Sequence, residues 1–258
     1  MSETMEHVTP RYSWEFDVLG VYNYRKPGPL SVLFDFVRDN AHKIEGDVVD
    51  AGVFRGRSLV GMALMLRELG VDKKVYGFDS FAGFPEIYHP NDEIERFADL
   101  RAAGSIAPLH YELVQRNVRH RTLGVPSRMG PENLSLSGNF SGTSMEIVRR
   151  KLDYFGLTNV VLVDGPFSET FTPQRGVPGK VMAANLDCDL YESYVSSLGY
   201  LWGRMAVGGM IYLDEYYSLK FPGARIATDE FARRVGVSPQ KDPETARGEF
   251  ERWFLIKT

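Results

Sequence analysis

Two apolar runs in the last third of the chain each break into paired acids, and no other feature constrains the fold as much. Ala184-Asn185-Leu186-Asp187-Cys188-Asp189-Leu190-Tyr191-Glu192-Ser193 reads as a strand that ends in carboxylates. Gly208-Gly209-Met210-Ile211-Tyr212-Leu213-Asp214-Glu215 repeats the plan. Side chains alternate along a strand, so Asp187 and Asp189 are expected on one face. Parallel neighbouring strands would bring Asp187, Asp189, Asp214 and Glu215 to one sheet edge. Acids also end strands simply because loops are wet. Carboxylates that share a site repel, so either some hold protons or a cation sits among them. An all-oxygen set favours a hard ion, magnesium ahead of calcium or manganese. Ligands gather at strand carboxyl ends in open α/β sheets, so metal or catalytic work is the expectation here.

The remaining chain supplies the alternation such a sheet needs. Residues 29–42 read as an amphipathic helix with Leu30, Leu33, Phe34 and Val37 on one face. Residues 47–53 are a buried strand, 58–69 a helix striped by Leu59, Met62, Leu66 and Leu69, and 74–79 a second strand. Residues 144–155 form a helix in which Thr143 or Ser144 caps ahead of Glu146. Strands at 160–163, 181–186 and 210–213 alternate with helices at 191–205 and 223–235. Residues 249–257 close the chain as a strand in an antiparallel hairpin. This order predicts an α/β fold: a mostly parallel sheet with right-handed crossovers and helices on both faces.

Two stretches fall outside that rhythm. Residues 80–143, punctuated by Pro85, Pro90, Pro108, Pro126 and Pro131, are too long for an ordinary connection and read as a lid-like insertion. Residues 1–45 carry Tyr12, Trp14, Phe16, Tyr22 and Tyr24, too apolar for a disordered tail. They are expected to cover a pocket or to meet a partner subunit, with the main domain spanning 46–258.

Composition narrows the function classes. The chain has 258 residues, enough for one large α/β domain. Its formal net charge of -4 gives no broad phosphate-binding surface, so no nucleic-acid partner is expected. The basic stretch Arg116, Arg119, His120, Arg121 and Arg128 reads as a solvated face. Cys188 is the single cysteine, which forbids an internal disulfide, and the flanking acids disfavour its thiolate. No apolar run approaches the roughly 20 residues of a bilayer span, and the first residues lack a secretory pattern. A cytoplasmic protein without a membrane partner is the expectation.

The first strand runs into Asp50-Ala51-Gly52-Val53-Phe54-Arg55-Gly56-Arg57-Ser58. Its glycines allow a sharp turn and a close ligand approach, but they lack the dinucleotide spacing. A nicotinamide oxidoreductase is therefore disfavoured. The second strand ends in Phe78-Asp79-Ser80, where an acid can accept hydrogen bonds from both ribose hydroxyls. No phosphate cradle accompanies it. An adenosine ligand without a pyrophosphate suits this pattern, and S-adenosylmethionine is such a ligand. Its ammonium and sulfonium groups also favour an acid at the first turn, where Asp50 stands.

Three blocks together resemble the macrocin O-methyltransferase (TylF/MycF-type) family over residues 46–232. Asp47-Val48-Val49-Asp50-Ala51-Gly52-Val53-Phe54-Arg55-Gly56 is similar to its first-strand motif, which usually has Glu-Thr in place of Asp50-Ala51. Asp79-Ser80-Phe81-Ala82-Gly83-Phe84-Pro85 is similar to Asp-Ser-Phe-Glu-Gly-Leu-Pro. Asp187-Cys188-Asp189-Leu190-Tyr191-Glu192-Ser193 resembles Asp-Gly-Asp-Leu-Tyr-Glu-Ser. The resemblance implies a class I methyltransferase (Rossmann-like) fold and an enzyme that uses S-adenosylmethionine and a divalent metal. The implied acceptor is a sugar hydroxyl of a glycosylated natural product of the antibiotic type. It implies Asp50, Gly52 and Arg55 at the methionine end of the cofactor, Asp79 and Ser80 at the ribose, Gly165 and Phe167 near the adenine, and Asp187 close by. Asp189, Asp214 and Glu215 fall on the metal ligands, and Asp189 also stands as the catalytic proton acceptor. A homo-oligomer is implied as well.

The chain departs from the family at two places. Glu215 stands where the family usually has Asp. Leu134-Ser135-Leu136 stands where some members place a histidine base, which leaves His110 and His120 of the insertion as further candidates. Two other readings stay open. One is a metal-dependent methyltransferase of a catechol or small diol; the other is a non-catalytic S-adenosylmethionine-binding protein.

Overall fold

A computed structural model describes residues 8–123, 129–175, 177–243 and 250–258. Pro126, Arg128 and Glu249 lie outside the described residues. Among those described, seven strands form one sheet in the order β3-β2-β1-β4-β5-β7-β6. They are β1 (Asp47–Ala51), β2 (Val75–Asp79), β3 (Val160–Asp164), β4 (Val181–Leu186), β5 (Met205–Leu213), β6 (Gln240–Lys241) and β7 (Trp253–Ile256). The first five run parallel, and β7 lies antiparallel between β5 and β6. The strand order reverses between β1 and β4, which opens a crevice at their carboxyl ends.

Both faces of the sheet carry apolar layers, as the alternation requires. On one face α2 (Ser31–Asn40), α3 (Arg57–Glu68) and α7 (Met145–Phe155) bury Leu33, Phe34, Val37, Leu59, Leu66, Val148 and Phe155. Phe16 of α1 (Ser13–Leu19) and Tyr24 join that layer, so the aromatic lead is part of the main core. On the other face α9 (Tyr191–Trp202) and α10 (Pro222–Val235) bury Tyr194, Leu198, Leu201, Ala227 and Phe231. Ser144 caps α7 by accepting the Ile147 amide at 3.2 Å. No helix of the described residues is long and apolar enough to cross a membrane.

Three expectations need correction. The helix expected over 191–205 stops at Trp202, and Met205 already opens β5. That strand runs farther back than its apolar run because Gly208, at φ 80°, takes up a local irregularity in it. The fourth strand ends at Leu186, and Asp189 sits in a left-handed conformation at φ 57°. Strand alternation therefore does not orient Asp187 and Asp189.

The insertion is helical and has its own small core. After the short 3-10 turn Pro90–Asp92 come α4 (Arg96–Ala102), α5 (Pro108–Thr122) and α6 (Pro131–Leu134), followed in chain order by α7; the four-residue α8 (Phe167–Thr170) lies after β3. Phe97, Leu100, Ile106 and Val114 cluster against Leu219 and Ile226 of the α10 region. Met129, Leu134, Leu190 and Phe221 form a second cluster with Phe84 and Phe140 around it. The insertion is thus seated on the carboxyl-end face of the sheet.

Candidate active site

Strand register levels the site. Ala51 pairs with Leu186, and Leu186 with Leu213, so the residues that follow, Gly52, Asp187 and Asp214, leave the sheet together. A cavity of about 680 Å³ opens there. Its walls include Gly52, Phe54, Arg55, Asp79, Ser80 and Phe167, as well as Asp187 and Asp189. Phe84 and Phe140 add an aromatic wall from the insertion, with ring centroids 4.9 Å apart. Tyr22 of the amino-terminal segment lines the same cavity, under the Arg57 guanidinium at 4.6 Å.

Asp79 is held by backbone. Its Oδ2 accepts the Phe54 amide at 2.8 Å and its Oδ1 the Phe81 amide at 2.7 Å. Burial raises its carboxyl pKa, and these amides oppose the rise. A carboxylate offers about four acceptor sites, so Asp79 keeps capacity for a ligand hydroxyl. Ser80 Oγ donates to Gly83 O at 3.1 Å, which folds the start of the insertion over the turn. Arg55 Nε donates to Gly142 O at 2.6 Å, and Thr143 Oγ1 donates to Phe54 O. The end of the insertion is thereby fastened to the first βα turn.

Asp50 and Gly165 do not line this cavity. Asp50 is buried behind the wall, where it accepts Ser58 Oγ at 2.7 Å and Asn185 Nδ2 at 2.8 Å. Burial pushes its carboxyl up to about 6. Gly165 donates its amide to Asp79 O at 3.0 Å and leads into the lining residue Pro166.

The acids do converge. Oxygens of Asp187, Asp214 and Glu215 all lie within 4.8 Å of one another. This trio has Asp187 where the sequence reading put Asp189, because the chain turns at Leu186 instead of extending. Asp189 adjoins the trio through Glu215 and faces the cavity. Burial raises the pKa of Asp187 well above the carboxylate range, and Asp214, Asp189 and Glu215 add to it. Burial and then Glu215 do the same to Asp189. Burial, with Glu215 next, pushes Asp214 up to about 6. All-oxygen donors, crowded and mutually repelling, are a set that a hard divalent cation suits.

His110 and His120 do not line the cavity. His110 is buried, its Nε2 2.7 Å from Ser218 O and its ring stacked 4.1 Å from Tyr217. His120 is exposed on α5. Lys220 was not singled out from the sequence, yet its Nζ lies 3.3 Å from Glu215 Oε1. Nothing in its spacing from the acids marks it, because the loop after β5 is irregular.

Asp92 ties the insertion to the helix beside the site. It is buried and accepts the Tyr191 amide at 2.8 Å, next to the cavity-lining Glu192. Burial pushes its carboxyl up to about 6. A raised carboxyl binds its proton more tightly folded than unfolded. Its contribution to stability is therefore full at low pH and is lost as pH rises from about 4 to about 6. Asp92→Asn keeps an acceptor oxygen and removes the charge. The unfolding free energy of the wild type minus that of the variant is expected to fall across this window in denaturant titrations. A difference independent of pH would contradict the burial of this carboxyl.

Comparisons with known proteins bear on the family and the fold. Residues 31–124 and 130–241 match the family model described as macrocin-O-methyltransferase (TylF). Among curated relatives, the 8-demethyl-8-(2,3-dimethoxy-alpha-L-rhamnosyl)-tetracenomycin-C 4'-O-methyltransferase of Streptomyces olivaceus is 28% identical over 202 residues, covering 77% of this chain and 62% of its own. The demethyldecarbamoylnovobiocin O-methyltransferase of Streptomyces niveus is 26% identical over 201 residues, covering 77% and 63%. The chain thus spans less than two thirds of the length of these relatives. The solved structure of the O-methyltransferase NovP has the same fold, with a TM-score of 0.62 at 21% identity over 89% of this chain and 79% of the other.

Proposed function

The chain belongs to the macrocin-O-methyltransferase (TylF) family, and from that premise we propose an S-adenosylmethionine-dependent O-methyltransferase that acts on a sugar hydroxyl of a glycosylated natural product. A divalent cation, magnesium first, is part of the proposal. The observation that carries it is one cavity lined both by a backbone-anchored Asp79 and by Asp187 of the carboxylate cluster, with Asp189 beside it. The curated relatives are named for methylation of a rhamnosyl tetracenomycin and of demethyldecarbamoylnovobiocin, which supports this acceptor class.

The cavity residues divide the work. Asp79 and Ser80 would hold ribose hydroxyls, and Phe167 would cover a base. Gly52, which packs against the Asp187 carbonyl, borders the end nearest the acids, and Arg55 lines the same cavity. S-adenosylmethionine supplies a methyl group on a good leaving group when bound, so orientation of the acceptor accounts for much of the remaining rate. Asp187, Asp214 and Glu215 would hold the cation, whose chemistry is Lewis acidity toward a hydroxyl. Asp189, at the cavity wall, takes the proton that the acceptor hydroxyl must lose. Phe84 and Phe140 close the acceptor side against water.

A homo-oligomer belongs to the same proposal. Tyr12, Trp14 and Val18 of the amino-terminal region are 64%, 62% and 77% exposed, an apolar face that a second copy can cover. A cytoplasmic setting is proposed too, and the single cysteine suits it.

The test is calorimetric titration of S-adenosylhomocysteine with and without magnesium, followed by methyl transfer to a panel of glycosides and catechols. Expected results are micromolar cofactor binding, a heat of magnesium binding, and turnover on glycosides. Absence of cofactor binding would overturn the proposal. Turnover on catechols alone would replace the acceptor class.

A further inference from the structure

The acid cluster already holds a cation of its own. Lys220 Nζ lies 3.3 Å from Glu215 Oε1 and 4.9 Å from the centroid of the Phe221 ring. The pair is withdrawn from water: the Glu215 side chain is 7% exposed and that of Lys220 27%. A loop lysine normally carries its ammonium out to solvent. This one points inward, and its field reaches Asp189 and Asp214, opposing the burial that raises both. On the other flank Arg252 Nη1 stands 3.7 Å from Asp214 Oδ1. Asp187, Asp189, Asp214 and Glu215 carry four negative charges when ionised. Lys220 and Arg252 return two positive ones, which leaves the charge that one divalent ion neutralises.

We propose that Lys220 is a resident counter-ion of this cluster. It holds the acids together when the divalent ion is absent, and it weakens that ion's binding by competing for Glu215. Lys220 does not line the cavity and acts through Glu215, so it is a positioning residue. Removing one positive charge near an acid cluster strengthens the attraction for a dication across a few ångströms of poorly screened medium. The same removal leaves the buried acids less compensated when no ion is bound, which costs stability. The proposal rests on the reading that the cluster takes a divalent cation.

The test uses the full chain with Lys220→Met, Lys220→Gln and Lys220→Arg. Magnesium is titrated calorimetrically, and thermal unfolding is followed in EDTA and in saturating magnesium. Lys220→Met is expected to bind magnesium tighter by on the order of tenfold. It should melt below the wild type in EDTA and recover when magnesium is added. Lys220→Arg keeps the charge and should stay near the wild type in both readouts. Unchanged or weaker magnesium affinity in Lys220→Met would overturn the proposal, as would wild-type melting in EDTA. If both neutral variants are unfolded in EDTA, folding on addition of magnesium supports it. Failure to fold in saturating magnesium overturns it. A wild type that gives no heat with magnesium or manganese defeats the cation reading itself. Wild-type binding with no change in Lys220→Met defeats only the role of Lys220.

Discussion

Asp189→Asn is expected to lower kcat by about 10³, with S-adenosylhomocysteine affinity unchanged. Asparagine is the right replacement because of the backbone. Asp189 sits at φ 57°, and asparagine tolerates the left-handed region at least as well as aspartate. The amide cannot take a proton from an acceptor hydroxyl, so the chemical step loses its acceptor. Its amide can donate to Glu215, which an ionised Asp189 cannot, and it removes one charge from a repelling cluster. The variant should therefore melt at or above the wild-type temperature. Steady-state kinetics, cofactor titration and a melting curve check the three parts. Equal losses of turnover and cofactor binding, with a lowered melt, would mean a folding defect and sink the role assigned to Asp189.

That assignment shows how far the sequence could be read. The acid-ended runs located the site because two neighbouring parallel strands end level, at Leu186 and Leu213. Which acids meet was not legible. Strand periodicity says nothing once the chain turns, and the turn at Leu186 exchanges Asp187 for Asp189 in the trio. Asp79 was readable from its place at a strand end, and its geometry adds the two amides that hold it. Asp50 was readable as an acid at the first turn, but its hydrogen bonds to Ser58 and Asn185, which keep it behind the wall, depend on a partner 135 residues away. The helices of the insertion were hidden for a different reason. α5 is polar on most of its surface and buries only His110 and Val114, so its periodicity is faint. Lys220 and Tyr22 reach the site from irregular segments, where no spacing rule applies.

Gly52→Ala is expected to be the most damaging single methyl among the described glycines. Gly52 has φ +98°, and a Cβ there would stand 1.8 Å from the carbonyl oxygen of Asp187 and 2.6 Å from its carbon. Both atoms are backbone, so no side chain can swing away. Relief requires the seam between β1 and β4 to open, which breaks the bond from the Asp187 amide to Ala51 O, now 2.9 Å. We expect a stability loss of about 3–5 kcal/mol, from the clash and the left-handed strain together. Cofactor affinity should fall by about 10², since misplacement of roughly 1 Å in a site can cost that much. Gly199→Ala is the control. Gly199 lies within α9 with nothing within 4 Å of its Cβ position, so alanine there should stabilise by about 0.5–1 kcal/mol. Urea unfolding and S-adenosylhomocysteine titration measure both variants. Wild-type stability and affinity in Gly52→Ala would contradict the close approach of the two turns. The contrast with Asp189→Asn carries the mechanistic weight. One substitution removes a proton acceptor from an intact scaffold. The other displaces Asp187 and the first turn together, so it should degrade cation and cofactor binding in parallel.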